Sequence, residues 1–315
     1  MDDTRHVTIA VMTFRRPDDI SDLLPKLIEQ AEDNARTDTV IEVLVVDNDP
    51  DGGAREQVLT TASSASVKVR YENETTPGIS AARNRALDAS GTSDLLIFID
   101  DDERPVEHWL RLLLDTYETT GADAVVGPVI SQYVVEPEPW VAAGRFFDRR
   151  RLLTGTRIDV AATNNLLLDM ARVRSLALRF DLAYGITGGG DTLFTKELHA
   201  QGGEMVWCDE AIVYDLVPAD RVTRRWVIMR ALRSGNSWSR TTVAIADGVL
   251  ARWSLRLRLS AQGAARMLAG AVRWLFGQLT RRQVDQARGL RAAARGWGML
   301  GGAWGYQYRE YRRPQ

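Results

Sequence analysis

Cysteine is almost absent from the sequence, with Cys208 as its only copy. A single cysteine excludes an intrachain disulfide and is typical of proteins that fold in a reducing cytoplasm. Histidine is also scarce, and the scattered positions of His6, His108 and His199 indicate no zinc site. No serine has a plausible triad partner, and Cys208 has no histidine near it in sequence, although folding can still bring one to it.

Long apolar runs are missing as well. No segment approaches the roughly 20 apolar residues that span a bilayer, and the longest uncharged stretch near the end, residues 296–308, is short and rich in glycine. Residues 1–3 are acidic and lead directly into a strand-like run, without the basic and apolar regions of a signal peptide. We therefore expect a cytoplasmic protein.

The charges are distributed unevenly along the 315 residues. Residues 250–315 contain thirteen arginines, no lysine and two acids, a net charge of +11. The whole chain carries −2, so the first 249 residues carry −13. Such asymmetry indicates either a solvated helical face or a surface that meets an anionic partner.

Apolar segments in the first half alternate between strand-like and helix-like patterns. Buried strands are predicted at residues 7–12, 41–46, 67–71 and 95–99, with helices beginning at Pro17, near Gly78 and at Pro105. This alternation predicts a largely parallel sheet covered on both faces. Ligands bind beyond the carboxyl ends of strands in such sheets, and Asp47 and Asp100 both follow predicted strands. We expect these two aspartates to share one crevice.

The second half is more mixed. We predict strands at residues 124–130 and 164–169, a long loop at 137–157, and a helix that follows the glycines at 188–190. From about residue 223 the chain is predicted to be mainly helical. Leu268, Val272, Leu275 and Leu279 recur on one face of a helix there. The predicted organisation is a catalytic domain at 1–235 and a basic, amphipathic helical extension at 236–315.

An acidic cluster, Asp100-Asp101-Asp102-Glu103, follows the predicted strand at 95–99. So much negative charge at one strand end is costly unless a cation is present. Carboxylate oxygens favour Mg²⁺ or Mn²⁺. The alternative is helix capping before Pro105, since acidic residues favour helix N-termini. The position after a buried strand favours the metal.

Five segments in a fixed order resemble glycosyltransferase family 2, which has the GT-A fold. They are residues 7–17, 45–48, 78–84, 98–102 and 189–194. Together they cover about residues 7–235, and their conjunction is more specific than any one segment. The resemblance implies a Rossmann-like, mostly parallel sheet flanked by helices. Within the family, the sequence is most similar to bacterial exopolysaccharide glucosyltransferases of the succinoglycan type.

The resemblance also implies a site for a UDP-sugar. Its residues would be Thr13, Arg15, Asp47, Arg83, Asn84, Asp100 and Asp101. Asp47 would accept a hydrogen bond from the uracil ring, and Asp100 would approach the ribose. Asp47 is alternatively a turn-forming residue, and Arg83 and Asn84 are alternatively a solvated helix face.

The same resemblance implies a metal, Mn²⁺ or Mg²⁺, that bridges Asp102 and the diphosphate. Many family members have a further ligand, a histidine, after the last strand, where this sequence has Asp215. A carboxylate can replace imidazole at a hard metal, but a surface-loop role for Asp215 is equally open.

Asp191 occupies the position of the family's catalytic base. It would take a proton from an acceptor hydroxyl in a single displacement that inverts the configuration at the anomeric carbon of the transferred hexose. Gly190 stands where the family usually has glutamate, which puts one acceptor contact in doubt. Without the resemblance, a helix N-cap would be the simpler interpretation of Asp191.

Two alternative activities stay open. One is a sugar-nucleotide-binding relative that has lost turnover, because Gly190 replaces the expected glutamate. The other is a nucleotidyltransferase, although such enzymes usually carry a glycine-rich, basic loop where this chain has residues 13–17. A dinucleotide oxidoreductase is disfavoured because G-x-G-x-x-G does not follow the first strand.

The arginines and aromatic residues beyond residue 250 predict helices that touch an anionic membrane at the inner face of the cell membrane. That position would bring the site to an acceptor hydroxyl on a lipid-linked saccharide, a polysaccharide or a natural product. The alternative is that these helices pack on the catalytic domain or form a homodimer. Nothing in the first half supports binding to nucleic acid.

Overall fold

The computed structural model describes residues 4–308 and divides into two compact units. The first contains the chain up to Ile130, then Arg149–Gly185 and Phe194–Asp215. The second contains Ser131–Asp148, Ile186–Leu193 and the chain from Leu216 onward. The predicted boundary at residue 235 lies inside the continuous helix Arg224–Ala244 and stays a prediction.

Strands and helices alternate along most of the chain, and the last three elements are long helices. The strands, in chain order, are β1 (Arg5–Thr13), β2 (Thr39–Asp47), β3 (Lys68–Asn73), β4 (Leu95–Asp100), β5 (Glu103–Pro105), β6 (Ala124–Val126), β7 (Val129–Tyr133), β8 (Arg157–Ile158), β9 (Asn165–Asp169), β10 (Met205–Trp207) and β11 (Val213–Val217). The helices are α1 (Pro17–Asn34), α2 (Arg55–Ala62), α3 (Ile79–Ala89), α4 (Trp109–Thr120), α5 (Pro139–Gly144), α6 (Met170–Ser175), α7 (Gly190–Ala200), α8 (Arg224–Ala244), α9 (Val249–Thr280) and α10 (Gln283–Ala303). Short 3₁₀ helices occur at Leu182–Tyr184 and Ala219–Val222.

Eight strands form the main sheet, in the order β3-β2-β1-β4-β9-β6-β10-β8. The pairs β1–β2, β2–β3, β1–β4 and β6–β10 are parallel. Strand β9 is antiparallel to both β4 and β6, and β8 is antiparallel to β10. The carboxyl ends of β1, β2 and β4 therefore lie together at one edge.

Alternate side chains of β1 fill two cores on opposite faces of this sheet. Ile9 and Val11 pack with α1 and α4 on one face, whereas Ala10 and Met12 belong to the core with α3 on the other. Period-two alternation sends successive side chains to opposite faces, so a strand covered on both sides must be apolar throughout. The predicted α/β architecture is confirmed.

Two local predictions for the second half differ from the structure. The expected strand at residues 124–130 is interrupted after β6, because Pro128 has no N–H to donate to a neighbouring strand. The residue before it must be glycine, since a Cβ on Gly127 would lie 2.2 Å from Ala211 O. The expected loop at 137–157 contains α5, which has a proline in its first turn and buries Trp140 and Val141.

Three long helices dominate the second unit, as the sequence predicts. Helices α8, α9 and α10 approach one another through glycines: a Cβ on Gly298 of α10 would lie only 1.9 Å from Leu232 O of α8. A separate apolar cluster joins Trp140 and Phe147 to Val227 and Ala287. Among residues 4–308, none of the helices is both long enough and apolar enough to cross a membrane.

Candidate active site

The acidic cluster lies where three parallel strands end. In the sheet register, Met12 pairs with Asp100, and the adjacent Thr13 pairs with Asp47. The side chains of Asp100 and Asp102 are 33% and 18% exposed. Asp47 and Asp100 therefore end the two strands that flank β1, as the parallel topology predicts.

Asp101 is buried and bound to residues that follow β1. Thr13 Oγ1 donates to its carboxylate over 2.9 Å, and Arg16 Nη1 donates over 2.8 Å. Burial raises the pKa of Asp101 to about 7, although Arg16 opposes the shift. Asp101 and Thr13 thus hold the cluster in place, with the Thr13 hydroxyl directed at a protein carboxylate.

Arg16 was not among the predicted site residues. The same Nη1 atom also donates to Asp102 Oδ2 over 3.0 Å, so one amino group bridges two neighbouring carboxylates. The signal in the sequence was the second arginine of the segment that follows the first strand. A cation at this position reduces the repulsion between Asp101 and Asp102.

Arg83 lies in α3 beside the cluster. Its Nη2 atom is 3.7 Å from Asp100 Oδ1, and its guanidinium lies 5.7 Å from the centre of the Phe180 ring. Asn84 has a different role, because its amide donates to Phe180 O over 2.8 Å and accepts from Phe180 N over 2.9 Å. The structure therefore uses Asn84 to fix the segment around Phe180 and places Arg83 next to the exposed carboxylates.

Asp47 is fully buried at the end of β2. Its carboxylate accepts from Asp49 N, Ala54 N and Tyr71 Oη, each over 2.9 Å. These bonds shape the turn that follows β2, which is the turn-forming role considered above. The contact with uracil stays a prediction.

Arg15 contacts this same turn. Its Nε donates to Asp49 Oδ1 over 3.3 Å, and its side chain is 55% exposed. Its φ of 55° lies in the left-handed region, which is uncommon for a residue with a side chain. The backbone there turns sharply between β1 and α1.

Glu103, the last residue of the predicted acidic cluster, has a role that the sequence did not indicate. It is buried behind the exposed aspartates and accepts from Asn164 Nδ2 over 2.6 Å and from Asp100 N over 3.1 Å. Burial, together with the Asp100 carboxylate, raises the pKa of Glu103 well above its usual range. Its signal in the sequence was that it is the fourth acid of the run. In the structure its carboxylate fixes the backbone that carries Asp100.

Asp215 pairs with Glu103 in the antiparallel register of β5 and β11. Its carboxylate accepts from Arg149 Nη2 over 2.7 Å, so Asp215 has a cationic partner from its own unit. A metal-ligand role for Asp215 would require the metal to compete with that ion pair, and it stays a prediction.

The donor set determines how the first unit can hold a metal. Within residues 4–308, no three histidine, cysteine, aspartate or glutamate side chains are grouped as a metal cage. Mg²⁺ is commonly bound by one or two carboxylates together with substrate phosphates and water. The partly exposed carboxylates of Asp100 and Asp102 fit such a shared ion and do not form a closed site by themselves.

Asp191 belongs to the second unit, in the first turn of α7. Its Oδ1 accepts from Thr192 N over 2.7 Å. The preceding Gly188 and Gly189 have φ values of 74° and 96°, a conformation that favours glycine. A Cβ on Gly189 would also lie 3.0 Å from Ser237 Cβ of α8, so the loop before Asp191 is held close to that helix.

A doubly covered sheet with an acidic cluster at its carboxyl edge places the chain among the α/β proteins that bind their ligands beyond the ends of the strands. The family model described as "Glycosyl transferase family 2" matches residues 8–172. The chain is 34% identical over 255 residues to the succinoglycan biosynthesis protein ExoM of Rhizobium meliloti, which covers 81% of each chain. The chain therefore belongs to glycosyltransferase family 2, and the predicted family is confirmed.

Other relatives and solved structures agree with this assignment. Glycosyltransferase AglE of Haloferax volcanii is 26% identical over 212 residues, 65% of each chain. The structure of S. aureus TarS 1–349 matches with a TM-score of 0.54 at 15% identity, covering 90% of this chain and 89% of TarS. The complex of that protein with UDP-GlcNAc matches with a TM-score of 0.51, with the same coverage and identity. These likenesses confirm the GT-A fold.

Proposed function

We propose that the protein transfers a hexose from a UDP-sugar to a hydroxyl group, with inversion at the anomeric carbon and with Mn²⁺ or Mg²⁺ bound. The observation that carries this proposal is the pair of partly exposed carboxylates, Asp100 and Asp102, at the carboxyl edge of the sheet. A TarS complex with UDP-GlcNAc, on the same fold, supports a UDP-sugar as the donor.

Residues around this edge would bind the nucleotide end of the donor. Asp100 accepts hydrogen bonds from the ribose hydroxyls, and the nearby guanidinium of Arg83 favours the approach of an anion. Asp102, with Asp100, would hold the metal, which when bound neutralises charge on the diphosphate. Arg16 keeps Asp102 oriented until the donor arrives.

Asp191 acts as the general base in this proposal. Its carboxylate takes the proton from the acceptor hydroxyl while that oxygen attacks the anomeric carbon. The bond from that carbon to the diphosphate oxygen breaks, and UDP leaves with the bonding electrons. An α-linked donor therefore gives a β-glycoside. The support for this role is that Asp191 lies in the first turn of α7, directly after a loop in which two glycines have positive φ.

The acceptor is proposed to be a saccharide unit of a growing exopolysaccharide, carried on a lipid. The support is the relationship to a succinoglycan biosynthesis protein at 34% identity over 81% of the chain. A hydroxyl of a free polysaccharide or of a natural product would require the same base and the same donor site.

UDP release and sugar transfer test the proposal. The purified chain is incubated with a panel of UDP-sugars, with Mn²⁺, Mg²⁺ or EDTA, and with oligosaccharide acceptors. We expect UDP release that requires metal, and loss of transfer by about 10²- to 10⁴-fold in Asp191→Asn with donor binding retained. Asp115→Asn, on the exposed side of α4, is the matched control and should keep full activity.

Each alternative activity has its own result in these assays. Donor binding without UDP release from any sugar would indicate a binding protein that lacks turnover. Release of pyrophosphate from nucleoside triphosphates with a sugar phosphate would indicate a nucleotidyltransferase. Near wild-type transfer by Asp191→Asn would remove that residue from the mechanism.

A further inference from the structure

Helix α9 presents one long apolar face whose large side chains are about half exposed or more. Its exposed large side chains range from 47% to 86% in exposure. They are Leu250, Trp253, Leu257, Leu268, Val272, Leu275, Phe276 and Leu279. They recur every three or four residues, with the exposed Ala261 and Ala264 completing the row, and we call this row the apolar stripe. At 1.5 Å per residue it is about 45 Å long.

The opposite face of α9 packs against α10. Gly263, Gly270 and Gly277 are the buried residues there, with Leu259. A Cβ on Gly270 would lie 2.5 Å from Ala293 N and 2.7 Å from Gly289 O, so the two backbones touch. The stripe is therefore not a core face that has missed its partner helix, since α9 already has one.

The charges of α9 all have the same sign. The helix contains five arginines and no lysine, aspartate or glutamate. Near one end of the stripe, the guanidinium of Arg256 lies 5.7 Å from the Trp253 ring and 5.9 Å from the Trp304 ring, and these two indoles pack edge to face. Arginine beside exposed tryptophan is typical of segments that lie at a membrane interface.

A cavity of about 700 Å³ lies next to the stripe, between α8, α9 and α10. Its lining includes Trp238, Arg266, Arg273, Arg295 and Met299. Of the residues that α9 contributes, Ala265, Ala269 and Arg273 each lie one turn from a residue of the stripe, whereas Arg266 lies on the side toward α10.

The arginines of this cavity are incompletely neutralised. Arg273 donates to Asp285 over 2.9 Å, but Arg266 Nη1 has only the sulfur of Met299 at 3.5 Å as a recorded partner. Arg295 Nε is buried, and its N–H donates to no atom of the described chain. Burial, with Arg266 and Arg291 nearby, lowers the pKa of Arg295, so an anion here would relieve an unfavourable environment.

We propose that α9 lies on a membrane that contains anionic phospholipid, with the apolar stripe in the interface and a headgroup phosphate bound in the arginine-lined cavity. The stripe supplies apolar area for the acyl boundary, and Arg256, Arg258 and Arg273, each one turn from a stripe residue, match the negative surface. A phosphate oxygen can accept from Arg266 and Arg295 together, which no carboxylate of the described chain does.

A second copy of the chain fits this face less well. In a two-fold dimer the same surface meets itself, so Arg256, Arg258 and Arg273, each one turn from a stripe residue, would approach their copies in the partner helix. Because α9 has no acidic residue, no ion pair between the two helices would offset this repulsion. An anionic lipid surface provides the missing charge.

Vesicle flotation with the full chain tests the proposal. The vesicles are phosphatidylcholine alone or phosphatidylcholine with phosphatidylglycerol, each at low and high salt. We expect at least tenfold stronger binding to the anionic vesicles at low salt, reduced by high salt. Each arginine that contacts the surface contributes about fivefold in affinity, so Arg295→Gln should weaken binding by about that factor.

Two substitutions address the stripe. Leu268→Ser with Leu275→Ser should reduce vesicle binding at least tenfold without lowering the thermal midpoint, because both side chains are exposed. Leu153→Ser and Arg157→Gln, both exposed in the first unit, are the matched controls and should bind as the wild type does.

Three results would overturn the proposal. One is equal, negligible flotation with both vesicle types. Another is calorimetric binding of inorganic phosphate that requires Arg295 while vesicles are not bound, which would make the cavity a site for a soluble anion. The third is a concentration-dependent dimer in sedimentation that the stripe substitutions dissociate, again without vesicle binding.

Discussion

Replacing Asn165 with leucine would remove three hydrogen bonds from a place that water does not reach. Asn165 lies in β9 and is 1% exposed. Its Oδ1 accepts from Trp109 Nε1 over 2.9 Å, and its Nδ2 donates to Pro128 O over 3.1 Å and to Ala211 O over 2.7 Å. One side chain thus joins α4 to two loops beside β9.

The expected loss of stability depends on whether each hydrogen-bond partner of Asn165 keeps another bond. Pro128 O keeps a second bond, because Val213 N donates to it over 3.0 Å. Trp109 Nε1 and Ala211 O have no other recorded partner, and both residues are fully buried. A buried polar group left without a hydrogen bond costs about 1–3 kcal/mol, so the substitution should lower the free energy of unfolding by about 2–6 kcal/mol.

Urea denaturation followed by far-ultraviolet circular dichroism measures this loss. Hydrogen exchange of the β4 and β9 amides assigns the transition to the first unit. The matched variant Trp109→Phe removes the donor together with the five-membered ring. In the wild type it leaves Asn165 Oδ1 unpaired, whereas in the Asn165→Leu background it removes the N–H that the first substitution orphaned. It should therefore cost about 2–6 kcal/mol less in that background. A loss below about 1 kcal/mol for Asn165→Leu, or costs that simply add, would refute the reasoning.

Three further predictions use single substitutions or reagents. Asp102→Asn should abolish the metal-dependent part of UDP binding, which is the part that EDTA removes from the wild type. If calorimetry shows that neither the substitution nor EDTA changes the affinity for UDP, the assigned metal position is wrong. Native Cys208 should react with thiol reagents far more slowly than the urea-unfolded chain, because it is 1% exposed and burial raises its pKa; equal rates would contradict its burial. Gly298→Ala should destabilise the second unit by about 1–3 kcal/mol in thermal melts, since its Cβ would lie 1.9 Å from Leu232 O; an unchanged midpoint would show that α8 and α10 separate easily.

The sheet was predictable because its signals are local. Continuous apolar runs such as that of β1 identify strands buried on both faces, and the helices between them imply parallel pairing. Parallel pairing then places the ends of β2 and β4 at the same edge of the sheet, and the structure adds that these strands flank β1. The family segments added the order of these elements.

The roles of individual polar residues were less predictable. Asp47 looks like a ligand in sequence, but its partners Ala54 and Tyr71 lie 7 and 24 residues further along, and only the folded chain brings them together. The roles of Glu103 and Arg16 were missed for the same reason, because their importance depends on contacts across the sheet edge. The predicted domain boundary at 235 falls inside a helix that continues to Ala244, and it stays a prediction.

Arg16 has a practical consequence for handling the protein. Since its Nη1 bridges Asp101 and Asp102, the chain carries an internal counter-ion for its densest negative charge. We therefore expect folding of the first unit to need no divalent ion, in contrast to small zinc domains that unfold when the metal is removed. Purification in a chelating buffer should leave the protein intact, and activity lost in that buffer should return on adding the metal back.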